Sequence, residues 1–218
     1  AEMQIISEAF HMLKKAKFNN EQISNFFREF TKEKRSSYLI EITSNIMQKK
    51  NESGYIIDQI RSEASHKGTG KLTVETSLNY GFPLPSIYEA FNARVESNYQ
   101  KIWPITAKNI KIELSPNELQ EAIYFSRLST LTQGILFIEY FSKQENLEIK
   151  IEDVMQNWLE GCIIRSDLLK EIKSILKDGP PGRSIVELKQ IQKNLDIRLE
   201  NTKFLLSNCI KNNIPTPV

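Results

Sequence analysis

Six consecutive residues concentrate the anion-binding chemistry of this sequence: His66-Lys67-Gly68-Thr69-Gly70-Lys71. Two glycines expose backbone N–H groups, Thr69 adds a hydroxyl donor, and Lys67 adds a positive charge, a combination able to hold a phosphate. A helix beginning directly after the loop would add the positive end of its dipole. The same six residues also read as a glycine-rich turn between helices with solvated lysines, and the local sequence leaves both readings open. Nucleotide loops fit poorly. A Walker A loop needs GxxxxGK[ST] between a strand and a helix, whereas here the spacer is missing and Leu72 follows Lys71. Gly68-Thr69-Gly70 begins a dinucleotide fingerprint, but Lys71-Leu72-Thr73 does not complete it and no strand precedes it.

Other residues are weaker candidates. Arg94, in "EAFNARVES", has apolar neighbours Phe91 and Val95, and reads either as a buried ion pair or as an anion clamp, since its planar fork suits phosphate. Arg165, in "CIIRSDLL", invites the same two readings, and the structural one is preferred. Glu8, Glu41 and Glu89 are expected at helix surfaces or satisfied within helices, because nothing pairs any two as acid and base. Trp103 and Trp158 are expected to pack. Cys162 and Cys209 lack CxxC spacing and read as reduced thiols, and His11 and His66 lie far from any cysteine cluster.

The elements that must position these groups are helical almost throughout. Ile5, Ile6, Ala9, Phe10 and Leu13 form one apolar face. A second helix is expected from Asn20 as N-cap, burying Ile23, Phe26, Phe27 and Phe30. A third carries Leu39, Ile42 and Ile46. Asn51-Glu52-Ser53-Gly54 is a turn, and "YIIDQIRSEAS" is expected as a short helix leading into the basic loop. "LTVETSLNYG" then ends at Gly81, and Pro85 opens a helix that Pro104 stops. Ser115-Pro116-Asn117-Glu118 has the form of a capping box. The helix that follows, to about Tyr140, is apolar on most sides, as at the centre of a bundle or in a subunit interface. Shorter helices close on Gly161 and start at Ser166, Gly179-Pro180-Pro181-Gly182 is a break, and a last helical region runs from Ser184 to Pro215. "NIKIEL" and "LEIKI" are treated as extended connectors. The expected fold is all-α, a large multi-helix domain spanning 1–218 with a mostly buried central helix.

The 218 residues suffice for such a core without disulfides. A net charge of +2 is too balanced to argue for a nucleic-acid partner or an anionic membrane surface. No apolar run is long enough for a transmembrane helix. Both ends break off abruptly, so the chain reads as cut from something longer.

In order along the chain, "MQIISEAF", "SYLIEIT", "HKGTGKLT", "GFPLPSIYEAFNAR", "LQEAIYFSRLSTLTQG", "GCIIRS" and "IPTP" resemble the C-terminal helical domain of 6-phosphogluconate dehydrogenase. The likeness is collinear over nearly the whole chain, and "KGTGK", "GCIIRS" and "SYLIEIT" are its most specific parts. The resemblance implies a longer cytoplasmic enzyme of the pentose phosphate pathway, with an N-terminal Rossmann domain that binds NADP and with no metal. Such an enzyme oxidises 6-phosphogluconate at C3 by hydride transfer, releases CO₂ and forms ribulose 5-phosphate. It also implies an obligate homodimer in which the partner's C-terminal tail reaches the substrate phosphate. Carried over residue by residue, Lys67, Gly68 and Thr69 fall on substrate-binding positions, and Arg94 falls on the phosphate-clamping arginine. The family's catalytic lysine and glutamate and its substrate-binding asparagine lie upstream of "MQIISEAF". No catalytic residue is therefore expected in this chain, which alone is expected to be inactive, and Glu2 is not the catalytic glutamate. Two departures stand out: Leu72 replaces the usual tryptophan after "GTGK", and Leu159-Glu160 replaces Arg-Gly before "GCIIRS". They favour the alternative of a non-catalytic helical dimerisation module, whereas retention of Lys67, Thr69 and Arg94 favours a substrate domain.

Overall fold

A computed structural model describes residues 1–32, 35–65, 67–99, 112–180 and 182–218. Their helices are α1 (Glu2–Lys15), α2 (Asn20–Lys32), α3 (Tyr38–Gln48), α4 (Thr69–Asn79), α5 (Pro85–Glu96), α6 (Pro116–Gln144), α7 (Ile151–Gly161), α8 (Asp167–Asp178) and α9 (Lys189–Lys211). The all-α expectation holds, apart from one small hairpin. His66, Trp103, Pro104 and Pro181 lie outside the described residues.

The apolar faces read from the sequence bury much as spacing dictates. Ile23, Phe26, Phe27 and Phe30 of α2 are buried, with Phe26 edge-on to both Phe27 and Phe30. Along α3 the buried stripe is Ile40, Ser44 and Met47, one residue off the expected Leu39, Ile42 and Ile46, which are only half-buried. The reason is the contact with α2. Ser24 Oγ donates to the Ser44 carbonyl at 2.9 Å and Ser44 Oγ donates back to the Ser24 carbonyl at 3.1 Å. Two small hydroxyls at the crossing let the helices approach closely and rotate α3 onto that face.

Helix ends follow capping chemistry. Asn19, rather than Asn20, caps α2. Its Oδ1 accepts the Gln22 N–H at 2.9 Å, while Gln22 Oε1 accepts the Asn19 N–H at 2.9 Å, a reciprocal box. Ser115 Oγ accepts the Glu118 N–H at the start of α6. After α4, the Gly81 N–H bonds Leu78 O and the Phe82 N–H bonds Ser77 O, with Gly81 at φ +62°. This Schellman turn reverses the chain into α5.

Two sequence-based expectations are corrected. "YIIDQIRSEAS" is not a helix. Strands β1 (Lys50–Asn51) and β2 (Gly54–Tyr55) pair antiparallel, and only a 3₁₀ turn follows at Ile56–Gln59. Ile56 and Ile60, one helical turn apart, stay exposed at 37% and 55%, so no core repays the cost of ordering so short a helix. The last helix begins at Lys189 rather than Ser184, after a 3₁₀ turn at Ile185–Glu187.

Helix α6 has 29 residues and serves two cores. Leu119, Ala122 and Ile123 join α1, α2, α3 and the end of α9. Tyr124, Leu128 and Ile135 join α7, α8 and the start of α9. At the junction the Tyr124 ring lies beneath two guanidinium groups, Arg198 at 4.0 Å and Arg35 at 5.6 Å. Both arginines pair with Glu121, at 2.7 and 2.6 Å, and Tyr124 Oη donates to Glu171 at 2.8 Å.

Candidate functional site

Lys67, Gly68, Thr69 and Arg94 come to one end of the α4–α5 pair. Gly68 caps α4 at φ +92°, ψ −23°, a left-handed conformation that a side chain resists, so the glycine is what allows the chain to turn into the helix here. Thr69 is the first helical residue, exposed, with its hydroxyl at the helix's positive end. Gly70 faces α5: a Cβ on it would stand 3.7 Å from the Phe91 ring. Arg94 lies three residues beyond Phe91, one turn further along the same helix face.

A second set of bonds holds the approach to the loop. Ser97 Oγ accepts the Ala64 N–H at 3.0 Å and donates to the Arg94 carbonyl at 2.7 Å. Asn98 Nδ2 reaches the carbonyls of Ala64, at 3.5 Å, and Arg94, at 3.2 Å. The chain three residues before Lys67 is thus tied to the chain three residues after Arg94. Neither cation pairs with a carboxylate among the described residues. Lys67 is exposed, and the half-buried Arg94 guanidinium lies 3.9 Å from Met3 Sδ and close enough to the Ala1 ammonium that, after burial, it helps lower that group's pKa. Lys71 is committed elsewhere, 3.3 Å from Glu75 on the α4 surface.

Beside this end opens an apolar cleft of about 480 Å³ between α1, α4, α6 and α7, walled by residues including Ile87, Phe137, Phe141 and Trp158. Leu72 stands on its rim, 64% exposed. On its floor Arg127, with a side chain only 2% exposed, lies 3.0 Å from Glu2 Oε1 and donates through Nη1 to the Arg35 carbonyl at 2.9 Å. Burial pushes its pKa down, against the pull of Glu2. The cleft leaves part of α6 uncovered, along Leu131, Gly134, Phe137 and Ile138.

The remaining sequence candidates resolve structurally. Arg165 is neither buried nor ion-paired among the described residues; its guanidinium stacks 3.7 Å above the Tyr38 ring. Trp158 packs at the edge of the second core while lining the cleft. Both cysteines are free thiols. Glu41 is exposed, and Glu8 is buried with hydrogen-bond partners. Sequence reasoning missed the Glu2–Arg127 pair and the tie between Ala64 and Ser97. A cation within the apolar run of α6 was the available signal for the first; the second is a loop contact without any local signal.

Comparison with known proteins gives a consistent result. The sequence model of the family described as "6-phosphogluconate dehydrogenase, C-terminal domain" matches residues 1–218. A decarboxylating 6-phosphogluconate dehydrogenase from Synechocystis sp. is 33% identical over 192 residues, covering 82% of this chain and 40% of the relative. One from Ceratitis capitata is 28% identical over 226 residues, covering 99% and 47%. The solved 6-phosphogluconate dehydrogenase of Plasmodium falciparum, described in its apo form and in complex with its cofactor NADP+ and its substrate 6-phosphogluconate, superposes with a TM-score of 0.91 at 28% identity. That match covers 99% of this chain and 49% of the other. The chain spans about half the length of the relatives it matches.

Proposed function

The chain belongs to the 6-phosphogluconate dehydrogenase family, as its C-terminal domain, and from that premise we propose that residues 1–218 form the substrate-binding and dimerisation domain of an enzyme that oxidatively decarboxylates 6-phosphogluconate to ribulose 5-phosphate with reduction of NADP. The observation that carries this reading is the convergence of Lys67 and Arg94, neither paired with a carboxylate among the described residues, at the N-terminus of α4. Two cations, the Thr69 hydroxyl and the first backbone N–H groups of α4 together suit a phosphate dianion. Arg94 provides a planar fork and Lys67 a mobile point charge. The domain holds the phosphate end of the substrate and leaves the reacting carbons toward the rest of the longer protein.

The chain's own residues do not fit a dinucleotide. Gly68 and Gly70 open a helix after an irregular segment, with no strand leading directly into them among the described residues and no third glycine to complete the fingerprint. The cofactor is assigned to a Rossmann domain of the longer protein, and the chain alone is expected to give no NADPH in a spectrophotometric assay with 6-phosphogluconate. Dimerisation draws support from Ile197 and Phe204 of α9, seven residues apart on one face and exposed at 64% and 58%. A cytoplasmic setting accords with the reading, and no described helix is long and apolar enough to cross a membrane.

Calorimetry with 6-phosphogluconate on the longer protein tests the clamp. Lys67→Ala and Arg94→Ala should each weaken binding by about 1–3 kcal/mol, roughly fivefold to 150-fold. Unchanged affinity in both variants rejects the assignment. One observation favours the second reading, a non-catalytic dimerisation module: Leu72, in place of the family's usual tryptophan, stands largely exposed at the rim of the cleft. Clamp variants without effect, together with a stable dimer, would establish that reading instead.

A further inference from the structure

The chain leaving α9 folds back across α1 as an extended strap. Ile214, Thr216 and Val218 face inward and Pro215 and Pro217 face outward, the alternation of a single extended strand. The outward prolines have no N–H to leave unpaired. The Ile214 N–H bonds Cys209 O at 2.9 Å, and Ile214 is buried in the first core. Beneath the last three residues is a cavity of about 240 Å³ whose other walls come from α1, α6 and α9. Into it points Glu8, only 8% exposed. Its Oε1 accepts the Val218 N–H at 3.2 Å and Gln4 Nε2 at 3.1 Å.

We propose that Glu8 and the Ile214–Val218 strap form a pH-sensitive latch, closed over the protonated carboxyl and loosened when the carboxyl ionises. The argument is geometric. An ionised carboxylate needs water or several donors, and here it accepts two bonds among the described residues, in a largely apolar cavity whose other polar lining is the Ser126, Thr202 and Thr216 hydroxyls. Three walls are packed helices, and the strap is the wall whose movement opens the cavity at least cost. Closure has two opposing effects on the proton. Burial favours the neutral acid, while the Val218 N–H favours the carboxylate. Burial is the larger, raising the Glu8 pKa to about 7. Closing the strap therefore retains a proton, and by linkage losing that proton favours opening.

Few other titratable groups face Glu8. On α9 the buried Cys209 thiol is pushed up to about 11 by burial and then by Glu8, so it stays neutral through the window. The stretch of α6 that lines the cavity is Leu119, Ala122, Ile123, Phe125 and Ser126, with no charge. His11, a turn further along α1, is exposed, and burial of its ring followed by Lys15 lowers its pKa.

The test follows the methyl resonances of Ile214 and Val218 from pH 5 to 9 in the 218-residue chain and in its Glu8→Gln and Val218→Pro variants. The chain should show a single transition with a midpoint near 7, with Val218 line widths marking greater mobility on the alkaline side, and Glu8→Gln should be flat. Val218→Pro removes the N–H that favours the ionised form, so its Ile214 transition should move to higher pH. It also keeps the proposal testable if Glu8→Gln fails to fold. A flat profile in the unaltered chain, a midpoint near 4.5, the same transition in Glu8→Gln, or an unmoved midpoint in Val218→Pro would each overturn the latch.

Discussion

Single side chains decide how the loop behaves. Gly68 sits at positive φ, so Gly68→Ala should lose about 1–2 kcal/mol in a denaturant titration, and in the longer protein it should weaken substrate binding beyond that loss by tilting the first turn of α4. Lys71→Ala should leave binding unchanged, because Lys71 is held by Glu75 on an exposed helix face and a pair of that kind is worth a few tenths of a kcal/mol. Glu8 sets a pH dependence of stability. Burial pushes its pKa up to about 7 from the ordinary 4.5, so it binds more protons folded than unfolded between those values. Its contribution is complete below pH 4.5 and is lost as pH rises through 7, on the order of 2–3 kcal/mol. Thermal melts should show the chain losing stability from pH 5 to 8 relative to Glu8→Gln. His11, its pKa lowered, acts in the opposite sense, so the comparison between variants, rather than the raw slope, isolates Glu8. Residue types alone announced the anion chemistry of "KGTGK" and the planar fork of Arg94. They could not announce that both cations lack a carboxylate among the described residues or that Ser97 ties the segment at Ala64 beside them, because those facts belong to contacts across about thirty residues of chain.

At the scale of elements, what was legible was whatever one helix carries within itself. The caps at Ser115 and Ser166, the break at Gly179 and the reversal at Gly81 follow from local chemistry, and all four stand in the structure. The faces chosen by partners were less legible. The rotation of α3 onto Ile40 and Met47 is set by the Ser24–Ser44 contact with α2, and the segment after β2 stays out of a helix because nothing covers it. Two motifs far apart in sequence meet at the starts of α3 and α8. The Tyr38 N–H donates to Arg165 O at 3.2 Å, and Asp167 donates its N–H to Ser36 O at 2.9 Å while its carboxylate accepts the Ser36 N–H at 3.2 Å. Ser37 and Ser166 each cap the helix they begin. Ser37→Ala and Ser166→Ala should each cost about 1 kcal/mol, and the double variant should depart from additivity by at least 0.5 kcal/mol because the two caps share one bridge. Next to this bridge, where Arg127 donates to the Arg35 carbonyl, Arg127→Met leaves Glu2 against the cleft without its cation. A loss of about 3–5 kcal/mol is expected by denaturation, largely recovered when Glu2 is also replaced by Gln.

Across the whole molecule, α6 is the shared wall of two cores, and the Tyr124, Arg35, Arg198 and Glu121 cluster marks their seam. The sequence announced a central apolar helix but left open whether a bundle or a partner covers it. The two cores cover much of that surface, and both the cleft and the cavity beneath the strap open onto the rest. For the proposed dimer the exposed α9 face is the candidate contact, and Phe204→Asp should shift sedimentation equilibrium at micromolar concentration toward the monomer. The junction of α3 with α8 has a consequence in time as well as in energy. Ser36 and Asp167 are 131 residues apart in the chain, so the bridge closes a loop that runs from α3 through α7. Closing so long a loop early would spend conformational entropy before the intervening helices could return it. The bridge should thus form on the native side of the folding barrier. Substitutions at Ser37 or Ser166 should speed unfolding in a stopped-flow chevron while leaving the refolding arm in place, so this junction governs how long the domain stays folded rather than how quickly it gets there.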